Sequence, residues 1–168
     1  MKTLYIIGGT MGAGKTTICR QLQKKLDNNV FLDGDWCWDM RPFTVTEETK
    51  AMVLDNICHL LNGFLRCSAY ENILFCWVLH EQSILDELLS RLEIKDCRIL
   101  CISLLCNPEA LTARLTKDIS AGLRQPDVLP RSLARIPLYE KLNTIKTDIS
   151  ALSAEEAAEE ILRLTALS

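Results

Sequence analysis

The sequence predicts an α/β protein, a doubly wound parallel sheet of five strands flanked by helices. Three observations support this: a glycine-rich loop between a strand and a helix, near-continuous apolar runs, and helical patterns that alternate with those runs. Near-continuous apolar runs are typical of strands covered on both faces, as in parallel sheets. At 168 residues, we expect residues 1–168 to form a single domain.

Five short apolar segments have strand character. The predicted strands are residues 4–7, 29–32, 72–79, 98–105 and 144–149. The predicted helices are residues 16–26, 46–67, 83–92 and 109–119, with a final helix after residues 153–156. Thr44 with Glu47, and Ser153 with Glu156, have the spacing of capping boxes.

The glycine loop, residues 9–16, fits the phosphate-binding pattern G-x-x-x-x-G-K-[ST]. Its glycines let backbone N–H groups curl around a phosphate chain, and the following helix N-terminus adds partial positive charge. Lys15 can reach the β- and γ-phosphates, and the Thr16 hydroxyl can bind Mg²⁺. The predicted nucleotide-binding residues here are Gly9, Thr10, Met11, Gly12, Ala13, Gly14, Lys15, Thr16 and Thr17. We therefore expect a nucleoside triphosphate at this loop.

Charge and cysteine content exclude several classes of protein. The formal net charge of −3 argues against a nucleic-acid partner held by bulk electrostatics. The eight cysteines contain no C-x-x-C pair and suit reduced, structural thiols. No apolar run approaches the ~20 residues of a membrane helix, and no signal peptide is evident. These features predict a cytoplasmic protein without a membrane or nucleic-acid partner.

A second motif, Asp33-Gly34-Asp35, follows the second predicted strand. Ligands of open α/β sheets bind beyond the carboxyl ends of the strands, and two carboxylates one residue apart at a strand end point to the same side. One carboxylate can hold Mg²⁺ while the other accepts a proton from a substrate hydroxyl. An ordinary Asp-Gly turn is the alternative, because both residue types are common where strands end.

Residues 120–137 interrupt the alternation of strands and helices. The segment contains Gly122, Pro126, Pro130 and Pro137 together with Arg124, Arg131 and Arg135. Its prolines predict a broken helix or a loop. Arginines on a mobile segment facing a triphosphate suit a lid, which we assign to residues 115–137. A solvated surface loop is the alternative.

These motifs together resemble the small P-loop kinases. That group includes shikimate, gluconate and adenylylsulfate kinases, chloramphenicol phosphotransferase and adenylate-kinase-like enzymes. The resemblance covers essentially the whole chain, is most specific in the glycine loop, and implies ATP as donor with Mg²⁺. It also implies that Asp33 is the metal-side carboxylate, that Asp35 is the base at the acceptor hydroxyl, and that Arg114 stacks on adenine.

The chain departs from the family pattern where a second arginine often follows Arg114 by four residues. Asp118 occupies that place. Arg124 then becomes the candidate for the transition-state arginine, with Arg131 and Arg135 behind it. Lys15, Asp35 and Arg124 are thus the predicted catalytic residues.

The predicted acceptor pocket is rich in aromatic residues. Trp36, Trp38 and Arg41 follow the D-x-D motif, and Trp77 and His80 follow the third strand. Stacking rings with Arg41 could hold a flat or sugar-like ring that carries a polar or anionic group. Ordinary core packing of the tryptophans and of His80 is the alternative.

The sequence as a whole predicts an ATP- and Mg²⁺-dependent kinase that phosphorylates a hydroxyl of a small-molecule acceptor. A nucleoside or nucleotide kinase and a non-catalytic ATP-binding regulatory module are the alternatives. No N-K-x-D guanine motif occurs, which argues against a GTPase switch. The acceptor stays unnamed, and either a monomer or a homodimer is compatible with the sequence.

Overall fold

The computed structural model describes residues 1–166 and contains one five-stranded parallel sheet. The strands are β1 (Lys2–Gly8), β2 (Asn29–Asp33), β3 (Asn72–Trp77), β4 (Cys97–Leu105) and β5 (Ile145–Asp148). The helices are α1 (Lys15–Lys25), α2 (Glu47–Arg66), α3 (Gln82–Ser90), α4 (Pro108–Ser120), α5 (Val128–Glu140) and α6 (Ala154–Ala166), with a 3₁₀ helix at Gly34–Trp38. The predicted α/β fold is confirmed.

The sheet order is β2-β3-β1-β4-β5, so β1 lies at its centre. Alternate residues of β1 enter two separate cores, as the two-residue period of a strand requires. Leu4 and Ile6 pack in the core that α2 and α3 cover, whereas Tyr5 and Ile7 pack with α1, α4 and α6. Both faces are therefore covered, which explains the near-continuous apolar runs.

Helix caps depart from the prediction at one place. Helix α2 is capped by Thr46 and Thr49, whose side chains each bond the other's backbone N–H at 3.1 and 2.8 Å, so the predicted Thr44–Glu47 box is wrong. A threonine hydroxyl can take the place of the usual glutamate because it also accepts a hydrogen bond. The Ser153–Glu156 box is confirmed, with bonds of 3.2 and 2.8 Å.

The segment predicted to be broken helix or loop is mostly helical. Helix α4 continues to Ser120, and α5 begins at Val128 despite two prolines. Pro130 is the third residue of α5, where the backbone N–H has no intrahelical partner to lose. Pro137 removes one bond, but α5 is held by the buried side chains of Val128 and Tyr139. The predicted loop is confirmed for residues 121–127, between α4 and α5, and is wrong for residues 128–137, because tertiary packing outweighs the cost of Pro137.

All eight cysteines are free thiols, as predicted. Within residues 1–166, no helix is both long and apolar enough to cross a membrane.

The backbone of Gly34 approaches the indole of Trp77 closely. A Cβ built on Gly34 would lie 2.6 Å from Trp77 Cγ and 3.0 Å from Trp77 Cβ. Gly34 follows the last residue of β2, and Trp77 ends the neighbouring strand β3. A glycine between the two aspartates is therefore required by the contact between β2 and β3.

We expect Gly34→Ala to lower the free energy of unfolding by about 1–3 kcal/mol, because the new methyl group must displace the indole. Gly63→Ala in α2 is the matched control, since a Cβ there meets nothing within 4 Å. The control should stabilise by about 0.5–1 kcal/mol through helix propensity. Urea unfolding of both variants measures the difference, and equal midpoints would contradict the assignment.

Candidate functional site

The glycine loop connects β1 to α1 and lies against α4. Gly12 and Gly14 have φ of 84° and 91°, in the left-handed region that favours glycine. A Cβ on Gly12 would lie 2.5 Å from Leu115 Cδ2, so the loop and α4 are in close contact. No side chain caps α1, which leaves its first N–H groups available to an anion.

Lys15 lies at the centre of the loop. Its buried Nζ donates hydrogen bonds to the carbonyl oxygens of Gly9 at 2.8 Å and Thr10 at 3.1 Å. Burial lowers the pKa of Lys15, and the nearby carboxylates of Asp35 and Asp33 oppose that shift. The ammonium group is thus held between the loop carbonyls and the D-x-D motif.

Asp33 joins the end of β2 to the start of α1. The Thr16 hydroxyl donates to Asp33 Oδ2 at 2.5 Å, and the Asp35 backbone N–H donates to Asp33 Oδ1 at 3.0 Å. Two hard oxygen donors beside a phosphate loop fit Mg²⁺, which commonly takes one or two protein oxygens together with phosphate oxygens. Within residues 1–166, no three His, Cys, Asp or Glu side chains are grouped so that they could hold a metal ion.

Asp35 belongs to the 3₁₀ helix and not to the strand end that was predicted for both aspartates. The Asp-Gly turn that was the alternative is also present, because the Asp33 side chain caps the 3₁₀ helix by accepting a hydrogen bond from the Asp35 N–H. Desolvation raises the pKa of Asp35, while the positive charges of Lys15 and Arg124 oppose the shift. A carboxylate with a raised pKa beside a phosphate loop suits a general base.

Arg114 links the loop to the connection between β5 and α6. Its Nη2 donates to the Ile149 carbonyl oxygen at 2.8 Å, and its Nη1 donates to the Ala13 carbonyl oxygen at 3.3 Å. The guanidinium also lines a cavity of about 300 Å³. The other lining residues are Ala13, Gly14, Thr17, Ile18, Ile149, Leu152, Ser153 and Ala154. This cavity lies beside the loop, where the resemblance places the base of the nucleotide.

Within residues 1–166, two of the three arginines of the 115–137 segment form ion pairs, each with a different aspartate. Arg124 pairs with Asp118, with Nε and Oδ2 3.2 Å apart, and its charge acts on both Lys15 and Asp35. Arg131 pairs with Asp127 at 2.9 Å on the exposed face of α5. The charge of Arg124 thus opposes the raised pKa of Asp35, whereas Arg131 forms its ion pair with Asp127 at the start of α5.

The predicted acceptor residues are spread over several environments. Trp77 packs on Gly34, while Trp36 packs edge-on against Phe31 at a centroid distance of 5.3 Å. Trp38 contacts Phe43 at 5.7 Å, next to an exposed loop that carries Arg41. The structure brings Trp77 to the D-x-D motif and directs Trp36 toward the sheet edge. Contact of these side chains with an acceptor stays a prediction.

His80 lies just beyond β3. Its Nε2 is 3.2 Å from Glu81 Oε1, and its Nδ1 is buried without a hydrogen-bond partner among the described residues. Burial and the nearby Arg135 lower the pKa of His80. The neutral imidazole is therefore the favoured form at neutral pH, with Nε2–H directed at Glu81 and Nδ1 left as an acceptor.

Two hydrogen bonds that hold α5 in place were not predicted from the sequence. The Thr10 hydroxyl donates to the Ser132 carbonyl oxygen at 3.0 Å, and the Tyr139 hydroxyl donates to the Val78 carbonyl oxygen at 2.6 Å. Together these bonds fasten α5 to the glycine loop and to the chain after β3. A carbonyl acceptor has no signature in the sequence, so only the structure could reveal this docking.

The fold and the glycine loop define a P-loop nucleotide-binding protein. A family model described as an AAA domain matches residues 6–124, and the chain belongs to this family. The matched range begins in β1 and ends at Arg124, so it includes the glycine loop, the D-x-D motif and Arg114.

Known kinases are similar to the whole chain. A shikimate kinase of Bacillus cytotoxicus is 29% identical over 173 residues, covering 97% of this chain and 98% of the relative. A gluconokinase structure from Sinorhizobium meliloti 1021 has a TM-score of 0.72 at 18% identity, covering 98% of this chain and 93% of that one. A shikimate kinase from Acinetobacter baumannii, in complex with shikimate, has a TM-score of 0.64 at 21% identity, covering 99% and 94%. These relatives confirm the small P-loop kinase fold and support a phosphotransferase.

Replacing Arg114 should affect both binding and stability. We expect Arg114→Ala to weaken ATP binding about tenfold, through loss of a cation beside the base. It should also lower the free energy of unfolding by about 1–3 kcal/mol, because the Ile149 carbonyl loses its donor. Calorimetric titration and urea unfolding measure the two effects. Arg163→Ala, which breaks an exposed pair with Glu160, is the control and should change neither.

Proposed function

We propose that the protein is an ATP- and Mg²⁺-dependent kinase that transfers the γ-phosphoryl group to a hydroxyl of a small molecule. The observation that carries this proposal is the convergence of Lys15, the Thr16–Asp33 pair and Asp35 at one end of the sheet. Phosphoryl transfer needs a phosphate loop, oxygen ligands for a metal and a base for the acceptor, and these residues supply all three.

Each residue has a role that follows from its place. Lys15 neutralises charge on the β- and γ-phosphates, and the glycine loop N–H groups orient the donor. Thr16 and Asp33 would hold Mg²⁺, which when bound neutralises phosphate charge. Asp35 orients the acceptor hydroxyl and takes its proton, and Arg124 stabilises charge on the transferring group.

An anionic group on the acceptor is favoured by Arg135. Its side chain is half-buried, its charge acts on His80 and Tyr139, and no carboxylate within residues 1–166 forms an ion pair with it. A half-buried guanidinium without a counter-charge is suited to bind a carboxylate or phosphate. Two of the similar proteins are named for shikimate and gluconate, which are hydroxylated carboxylates.

The test is a coupled assay for ADP release over a panel of hydroxylated acids, neutral sugars and nucleosides. We expect one hydroxylated acid to give acceptor-dependent turnover that requires Mg²⁺. Turnover with nucleosides alone would replace the proposal with a nucleoside kinase. Tight ATP binding without turnover on any acceptor would favour a regulatory binding module.

Asp35→Asn should lower kcat at least about 100-fold, because the amide cannot accept the hydroxyl proton. ATP affinity should stay within about twofold, since the glycine loop is untouched. Asp39→Asn, an exposed carboxylate four residues later, is the matched control and should keep full turnover. Near-normal kcat for Asp35→Asn on the true acceptor would refute the assigned role.

The pH profile should report the raised pKa of Asp35. Protonated Asp35 cannot act as a base, so kcat/KM should fall as the pH decreases, with a midpoint above the ordinary 3.8 of an aspartate. The same shift makes the native state bind the proton more tightly than the unfolded chain does. This group's contribution to stability therefore rises as the pH falls through its native pKa toward 3.8. A flat profile down to pH 4 in folded protein would contradict the assignment.

A further inference from the structure

Helix α4 ends in a turn that returns the chain toward its own last residues. Gly122 has φ of 73°, and its N–H donates to the Ile119 carbonyl oxygen at 2.9 Å. The Leu123 N–H donates to the Asp118 carbonyl oxygen at 2.9 Å. This pair of bonds is a Schellman motif, which ends a helix with a defined change of direction. Arg124 is thereby brought back beside Asp118.

The Asp118 carboxylate contacts only one edge of the Arg124 guanidinium. Asp118 Oδ2 accepts from Arg124 Nε at 3.2 Å, while neither Nη nitrogen has a partner within residues 1–166. A guanidinium carries five N–H donors in a planar fork, so four donors remain for another acceptor. Both side chains are about one third exposed, at 37% for Arg124 and 34% for Asp118.

Asp118 is carried by a helix that is attached to the glycine loop. Leu115, three residues earlier, contacts Gly12, and Arg114, four residues earlier, donates to the Ala13 carbonyl oxygen. Residues three and four apart lie on one side of a helix. Asp118 therefore extends the same side of α4 that contacts the loop, one turn farther along.

We propose that Asp118 is a positioning residue, which holds Arg124 by its Nε so that both Nη nitrogens face the transferring phosphoryl group. The proposal rests on the kinase function given above. It assigns a use to the aspartate that replaces the second arginine of the family pattern.

The opposite role is a latch that keeps Arg124 away from the phosphates. The two roles predict opposite effects of removing the Asp118 carboxylate on kcat. Removing a positioning carboxylate lowers kcat, whereas removing a latch raises it. The Asp118–Arg124 pair extends the side of α4 whose residues Leu115 and Arg114 contact the glycine loop, which favours positioning.

Asp118→Ala should lower kcat about tenfold, because small misplacement of a catalytic group is costly in rate. KM for ATP should stay within about twofold, since Arg124 acts mainly on the transferring group. Asp118→Asn keeps an oxygen acceptor for Nε and should retain an intermediate kcat. Asp127→Ala is the matched control, because it breaks the Asp127–Arg131 pair in the same segment, and it should match wild type.

A double-mutant comparison separates positioning from a general effect on α4. In an Arg124→Ala background, Asp118→Ala should cause no further loss of kcat. An equal loss in both backgrounds would overturn the proposal, as would an unchanged or raised kcat for Asp118→Ala alone. Thermal melts of each variant establish that it is folded.

Binding of a transition-state mimic keeps this test independent of the acceptor. The kinase proposal fails if wild type phosphorylates no acceptor. The role of Asp118 is then tested by measuring ADP binding with Mg²⁺, in the presence and in the absence of aluminium fluoride. Asp118→Ala should weaken the aluminium fluoride complex about tenfold and leave ADP binding unchanged. Equal affinity of wild type and variant for that complex would overturn the role of Asp118.

Discussion

The contact between the glycine loop and α4 is the constraint on which the site depends. A loop built from backbone N–H groups is useful only if its shape is held before the phosphates arrive. Leu115 fills the space beside Gly12, and Arg114 bonds the Ala13 carbonyl oxygen, so one helix supports the loop from the side. The end of that helix also carries the turn that returns Arg124 to Asp118. Helix α4 therefore contacts or carries the cavity beside Arg114, the glycine loop and the Asp118–Arg124 pair.

A second set of contacts joins α5 to the same loop and to the chain after β3. Thr10 bonds α5 through the Ser132 carbonyl, and Tyr139 bonds the chain after β3. Desolvation raises the pKa of Asp35, just after β2, and lowers the pKa of His80, just after β3. Both shifts mean that the charged form costs stability there. Such a cost is commonly found at sites where chemistry requires a particular protonation state.

Local patterns predicted most of the fold and the position of the glycine loop between β1 and α1. Strands and helices follow from apolar spacing, and the loop follows from glycines with Lys15 and Thr16, because these signals lie within a few residues of one another. Helix α5 was missed because Pro130 and Pro137 are local breakers, whereas the packing that overrides them is long-range. The D-x-D motif was found, but the place of Asp35 in a 3₁₀ helix and the contact of Gly34 with Trp77 depend on the neighbouring strand.

The strand order divides the candidate site between the two halves of the sheet that flank the central strand β1. Arg114 and the cavity lie toward β5, whereas the D-x-D motif, Trp77 and His80 lie at the ends of β2 and β3 on the other side of β1. On the proposed function, substitutions at Trp77 and His80 would alter acceptor recognition and leave the contacts between the glycine loop and α4 unchanged. On the same proposal, a lineage could acquire a new acceptor by changing residues after β2 and β3 while keeping those of the glycine loop and α4.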